Sequence, residues 1–159
     1  MYRKILVPLD GSSLAELALP HAEALAQQFG SEVLLVRVCQ PISVPFELYT
    51  LGPDVTEGYN QDLQIKVEKE AKEYLVYIQK RLDLKNIKNR SFVLGGIVTE
   101  SILDIAQVET VDLIVMSTHG RSGLSRWVYG SVASKILQAA PCPVFLIRAV
   151  QPEPPAAVA

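Results

Sequence analysis

The sequence predicts an α/β domain in which a parallel sheet is sandwiched by helices. Three observations carry that prediction. Short runs of Val, Ile and Leu, such as Ile5-Leu6-Val7 and Leu113-Ile114-Val115-Met116, read as strands buried on both faces. Longer segments between them carry apolar residues at three- and four-residue steps, the pattern of amphipathic helices. The two kinds alternate strictly, five strands with four helices. That alternation favours parallel strands joined by right-handed crossovers.

The elements follow in order. The first strand, Ile5 to Val7, closes in the turn Pro8-Leu9-Asp10-Gly11-Ser12. Leu14, Leu17, Ala18, His21, Ala22, Leu25 and Phe29 then mark a helix over Ser13–Phe29, stopped by Gly30. Ser12 or Ser13 is its expected N-cap, with Glu16 in the capping-box position for Ser13. Pro20 lies inside it and is expected to kink it or to cost about 3 kcal/mol. Val33 to Val38 is the second strand. Pro41 to Asn60 shows no period and reads as a long loop, with Phe46, Tyr49 and Tyr59 as aromatics able to cover a ligand or reach a partner. Leu63, Val67, Ala71, Leu75, Ile78 and Leu82 mark a long helix, and Ser91 to Leu94 a strand ending in Gly95-Gly96. Val98, Ile102 and Ile105 mark the next helix, and Leu113 to Met116 the fourth strand. A Gly/Ser-containing loop leads to a helix marked by Val132, Ile136 and Ala139, which Pro141 stops. Val144 to Ile147 is the last strand.

The 159 residues fit one domain, drawn here as 1–150, with a Pro/Ala tail over 151–159 expected to be disordered. Lys plus Arg is 15 against 17 for Asp plus Glu, a net charge of −2, which argues against a nucleic-acid or membrane-surface footprint. No apolar run approaches the length of a membrane span, and Met1–Asp10 is too short for a signal peptide. Cys39 and Cys142 are too few for a disulfide framework and read as small hydrophobes in a reducing, cytoplasmic setting. His21 and His119 lack partners at ligand spacing, which disfavours zinc.

In open parallel sheets, ligands bind at the carboxyl ends of strands where the winding reverses. The most informative segment there is Ser117 to Ser131. Gly120 and Gly130 let backbone amides approach an anion, and Ser131 opens a helix whose N-terminus favours phosphate. Arg121 and Arg126 add positive charge. Gly120 and Gly123 also serve simply to shape a turn and Ser131 to cap a helix, and both readings stand at this point. The phosphate motifs GxxxxGK[ST] and GxGxxG are absent. His119 beside Gly120 has no nucleophile at a fixed spacing and reads as a loop donor or packing residue, so no catalytic residue is assigned.

The spacing Ser117, two residues, Gly120, nine residues, Gly130-Ser131 resembles the phosphate pattern of the universal stress protein family, with Ser117 where its first glycine stands. Ile5 through Ser12, Val111 through Met116, and Ala140-Pro141-Cys142-Pro143-Val144 agree as well, so the resemblance runs from about Tyr2 to Arg148. It implies a five-stranded parallel sheet in the order 3-2-1-4-5, of the adenine nucleotide alpha-hydrolase-like type, usually dimeric. For the ATP-binding members it implies that Pro8, Leu9 and Asp10 line the adenosine side and that the Val38 backbone meets adenine. Met116 and Ser117 would lie near the ribose, and Gly120, Gly130, Ser131 and Val132 would hold phosphates. Asp10 would accept from the ribose or help to hold Mg²⁺, and as a turn residue it also suits the start of the first helix. Ser117 for glycine is expected to reshape the ribose contact without abolishing the site.

Three functions remain open from the sequence. The leading one is a cytoplasmic ATP-binding stress-response or regulatory protein that hydrolyses its nucleotide slowly or not at all. The others are an enzyme cleaving adenylylated substrates on the same scaffold, and a nucleotide-free dimeric interaction module. By the resemblance, Val144 to Ile147 is an edge strand with no charge before Arg148, and a homodimer paired through it is expected.

Overall fold

The computed structural model describes residues 1–41, 45–50, 52–118 and 130–148. Its strands are β1 (Lys4–Pro8), β2 (Glu32–Cys39), β3 (Asn89–Gly95), β4 (Leu113–Ser117) and β5 (Val144–Ile147). They form one sheet in the order β3-β2-β1-β4-β5, with every neighbouring pair parallel. The fold class and strand order are those expected. The helices are α1 (Leu19–Phe29), α2 (Phe46–Tyr49), α3 (Pro53–Asp83), α4 (Val98–Val108) and α5 (Ser131–Ala139).

Strand alternation splits the core into two layers. Ile5, Val7, Val33, Leu35, Leu113 and Val115 point to one face, where α1 and the second half of α3 cover them with Leu19, Ala22, Leu75 and Ile78. Leu6, Leu34, Val36, Ile114 and Met116 point to the other, covered by Ile102 and Ala106 of α4 and by Ala133 and Ile136 of α5. Strands buried on both faces have no room for a polar alternate, which is why they read as unbroken apolar runs. The winding therefore reverses between β1, whose chain leaves to the first face, and β4, whose chain leaves to the second.

Two expectations are corrected. The helix predicted over Ser13–Phe29 is two elements: a 3-10 turn at Ala15–Ala18, then α1 from Leu19. Pro20 is the reason. It has no N–H to give the Glu16 carbonyl, and the Leu19 N–H takes that carbonyl instead. Pro20 is then the second residue of a new α-helix, where an N–H has no intrahelical acceptor anyway, so no mid-helix penalty arises. Ser12 Oγ accepts from the Ala15 N–H at 3.1 Å, as an N-cap should. Glu16 does not close a capping box on Ser13. It accepts from the Tyr74 hydroxyl at 3.1 Å and pairs with Arg81 at 3.4 Å.

The second correction is the long loop. α2 stands within Pro41–Asn60, and residues from Pro53 onward are the start of α3. Gly52-Pro53-Asp54 is a helix start in its own right, with proline at the first position and an acid in the first turn. At 31 residues α3 is about 46 Å long, well beyond its buried stripe at Ala71, Leu75, Ile78 and Leu82. Tyr59 is thus a helix residue, and Phe46 is 79% exposed. Among the described residues, no helix is long and apolar enough to cross a membrane. The expected tail over 151–159 lies outside the described residues.

Candidate functional site

The site begins where one ladder ends. β1 pairs with β2 as far as Pro8↔Val36, but with β4 only at Ile5↔Leu113 and Leu6↔Ile114. Successive amides of a strand point to opposite neighbours. The Leu9 N–H donates to the Val36 carbonyl at 2.8 Å, so residue 9 faces β2 and residue 8 faces β4. Residue 8 is proline and has no N–H to donate. The ladder between β1 and β4 stops there because the next donor does not exist.

Extending the β1–β4 register brings Pro8 level with Met116, and Asp10 level with Thr118. Extending β1–β2 brings Asp10 level with Val38 at the end of β2. Leu9, Met116, Ser117 and Thr118 are buried, and Val38 is half-buried. Asp10 Oδ1 accepts from the Ser12 N–H at 2.9 Å, which folds the chain sharply after β1. Gly11 completes that turn at φ +83°, a backbone that L side chains rarely adopt.

On the opposite side, Thr118 receives the far end of the loop. Its N–H donates to Ile147 at 2.8 Å, and its carbonyl accepts from the Gly130 N–H at 3.0 Å. A Cβ at Gly130 would stand 2.9 Å from that carbonyl oxygen. Gly130 is therefore required by the junction itself, whatever else it touches. It is the N-cap of α5, with no side-chain cap hydrogen bond, and the Ser134 N–H is the first to reach back to its carbonyl. Ser131 and Val132 thus supply first-turn amides, which have no intrahelical acceptor. Ser131 is exposed and opens the helix as its first residue.

The predicted site residues Pro8, Leu9, Asp10, Val38, Met116, Ser117, Gly130, Ser131 and Val132 all fall at this carboxyl edge. Gly120, like His119, Arg121 and Arg126, lies outside the described residues. His21 packs edge-on against Phe145 of β5, ring centroids 5.5 Å apart. Cys39 ends β2, where burial pushes its thiol up, opposed by the charge of Arg37. A lowered, reactive thiol is not what this setting makes.

The sequence reading passed over two residues. Thr118 is buried and bridges the ends of the loop. Arg37 lies in β2, half-buried, with its guanidinium under Gly11 and 5.1 Å from the centre of the Tyr74 ring. A single cation inside the apolar run Val33 to Cys39 was the available signal.

Chemically, this edge offers first-turn helix amides for an anion, one carboxylate at Asp10, and a buried floor of Leu9 and Met116. Known proteins resemble this chain in sequence and in fold. Universal stress protein MJ0577 of Methanocaldococcus jannaschii is 32% identical over 155 residues, 93% of this chain and 96% of its own. The solved MJ0577 structure superposes with a TM-score of 0.82, covering 96% of this chain and 99% of that one. Universal stress protein UspA from Lactobacillus plantarum is 26% identical with a TM-score of 0.80, covering 92% and 98%. The fold extends to more distant structures. A universal stress protein solved with cAMP is 15% identical, with a TM-score of 0.60 and coverage of 94% and 98%. One from Archaeoglobus fulgidus solved with dAMP is 22% identical, with a TM-score of 0.62 and coverage of 92% and 98%. The Universal stress protein family model matches residues 1–148, which include all of the strands and helices described above, and this chain belongs to the universal stress protein family.

Proposed function

We propose that this chain is a stress-response or regulatory protein that binds an adenine nucleotide, ATP foremost, at the switch point between β1 and β4. The observation that carries the reading is the pairing of two features across one strand gap. The Asp10 turn stands on the side where Pro8 ends the ladder, and the Gly130–Val132 amides stand at the Thr118 junction. Adenosine would lie against Pro8, Leu9, Asp10 and the Val38 backbone, with the ribose by Met116 and Ser117. Phosphates would meet Gly120, Gly130, Ser131 and Val132, where first-turn amides and the helix dipole favour negative charge. The family relation supports this, as do the cAMP and dAMP complexes of proteins with the same fold.

Magnesium fits the donor set. Mg²⁺ is commonly held by one or two carboxylates together with ligand phosphates, and Asp10 is a carboxylate at this edge. When bound, the ion would neutralise phosphate charge that otherwise faces Asp10. The expected setting is cytoplasmic. The expected assembly is a homodimer paired through β5, which among the described residues is an edge strand bonded to β4 alone, with Phe145 41% exposed.

Equilibrium titration with ATP, ADP, AMP and cyclic AMP tests the reading, with product analysis to detect turnover. Saturable binding of ATP without rapid product formation is the expected result. Absence of binding by all four sinks it, and fast release of AMP would move the protein to the enzyme class. Sedimentation of wild type and Leu146→Lys tests the seam. A monomeric wild type, or a folded variant that stays fully dimeric, would refute pairing through β5.

A further inference from the structure

Arg37 stands where an apolar residue would be expected. Val33 and Leu35 precede it on the same face of β2, and both are fully buried. A charge in such a position needs compensation. Among the described residues, no ion pair involves Arg37. The guanidinium instead lies over the Tyr74 ring, 5.1 Å from its centre. Cation–π contact of this kind suits the flat, weakly hydrated guanidinium better than a lysine ammonium.

The platform is itself fixed. The Tyr74 hydroxyl donates to Glu16 at 3.1 Å, and Glu16 pairs with Arg81 of the same helix at 3.4 Å. Burial, and then the charge of Glu16, push the Tyr74 hydroxyl well up, so it remains a donor. α3 and the 3-10 turn thus hold the ring, and the ring holds the guanidinium.

The guanidinium also meets the turn after β1. A Cβ at Gly11 would come within 3.2 Å of Arg37 Nη1 and 3.3 Å of Cζ, so the guanidinium fills the space where a side chain at Gly11 would begin. The neighbours of Gly11 in that turn are Asp10 and Ser12, joined by the Ser12 N–H to Asp10 Oδ1 bond.

We infer that Arg37 is a positioning residue of the adenosine half of the site: stacked on Tyr74, it props the Asp10–Ser12 turn and so sets where Asp10 meets its ligand. The inference rests on the nucleotide reading above for the ligand, but not for the prop. It assigns Arg37 no contact with phosphate. Its loss should therefore weaken adenosine and ATP by the same factor, whereas a phosphate-binding arginine would spare adenosine.

The test uses the full chain and four variants: Arg37→Met, Arg37→Lys, Tyr74→Leu and Tyr74→Phe. In the ligand-free protein, NMR amide exchange at Ser12 should accelerate in Arg37→Met and Tyr74→Leu, and less in Tyr74→Phe, which keeps the ring but loses its hydroxyl bond to Glu16. Adenosine and ATP affinities should fall together by about tenfold in Arg37→Met. Arg37→Lys should fail to restore them, because it keeps the charge and loses the plane. The double variant Arg37→Met/Tyr74→Leu should lose no more than Arg37→Met alone. Unchanged Ser12 exchange in folded Arg37→Met overturns the prop. Loss of ATP affinity with adenosine unaffected, or full rescue by lysine, overturns the positioning role. If wild type binds neither ligand while Ser12 exchange still responds, the nucleotide reading fails and the prop stands.

Discussion

The two ends of the β1–β4 pair are built in opposite ways. At the amino end the strands are stitched. Asp112 accepts from the Arg3 and Lys4 N–H groups, each at 2.9 Å, and its own N–H donates to the Lys4 carbonyl at 3.0 Å. Around that stitch, Glu109 takes Lys4 at 3.2 Å and Arg90 at 2.6 Å, and Arg90 also reaches Glu32 at 2.9 Å. At the carboxyl end Pro8 withholds the next donor, and what gathers there is a turn, a junction carbonyl and the first-turn amides of α5. Ion pairs between side chains gather at one end, while backbone groups and the Asp10 turn, with Arg37 beside it, stand at the other. On the proposed reading, the same sheet keeps stability and nucleotide binding at separate edges.

Four changes test that separation. Asp112→Ala removes one acceptor from two backbone donors and is expected to cost about 2 kcal/mol of stability. It should leave ATP affinity unchanged, as denaturant titration beside calorimetry would reveal. An affinity loss equal to the stability loss would break the comparison. Asp112 is held below the usual carboxylate range, first by the Lys4 N–H and then by the Arg3 N–H. Its contribution is therefore complete above an unfolded pKa of about 4 and disappears as pH falls through the lower folded value.

Ser131→Glu puts a negative charge in the first turn of α5. The helix dipole favours it, so stability should rise by about 0.5 kcal/mol. ATP, meeting like charge, should bind about tenfold more weakly, a change of about 1.4 kcal/mol. AMP should suffer less. Gly130→Val is not a substitute probe, because its side chain would strike the Thr118 carbonyl and disturb the fold with the site.

Pro8→Val restores a donor facing β4. The ladder is expected to lengthen and ATP affinity to fall about threefold. Stability should stay within about 1 kcal/mol, since the gained hydrogen bond offsets the freer unfolded chain. Unchanged affinity would mean that the ladder's end does not shape the site. Arg90→Ala should have the smallest effect, about 0.5 kcal/mol, because its side chain is 43% exposed and its pairs are screened. Glu109, now held low first by Arg90 and then by Lys4, should titrate closer to an ordinary glutamate in that variant. Its share of stability is present above the ordinary pKa and is lost as pH falls through the lower folded value, so the variant, with the two values closer together, should lose less stability on acidification than wild type. Carboxyl NMR shifts would follow it.

Most of the architecture was legible in the sequence because strands buried on both faces and helices buried on one leave different periods. Their alternation limited the topology, and the family resemblance supplied the strand order. The Ser117–Ser131 spacing and the Asp10 turn were visible because chemistry that uses backbone amides needs small residues at fixed intervals. Local competition was harder to read. Pro20 looked like a defect, since a periodic pattern cannot tell the middle of one helix from the boundary between two. The start of α3 was missed because polar exposed turns carry no apolar period, although Gly52-Pro53-Asp54 announced it. What only the tertiary structure decided are the contacts between segments far apart in the chain. Glu16 meets Tyr74 and Arg81, Gly130 meets Thr118, Asp112 meets Arg3 and Lys4, and Arg37 lies beneath Gly11. Periodicity records which face of an element is buried, but not which residue of another element it meets. That depends on strand register and on how helices cross the sheet, and these are fixed only when the whole core packs.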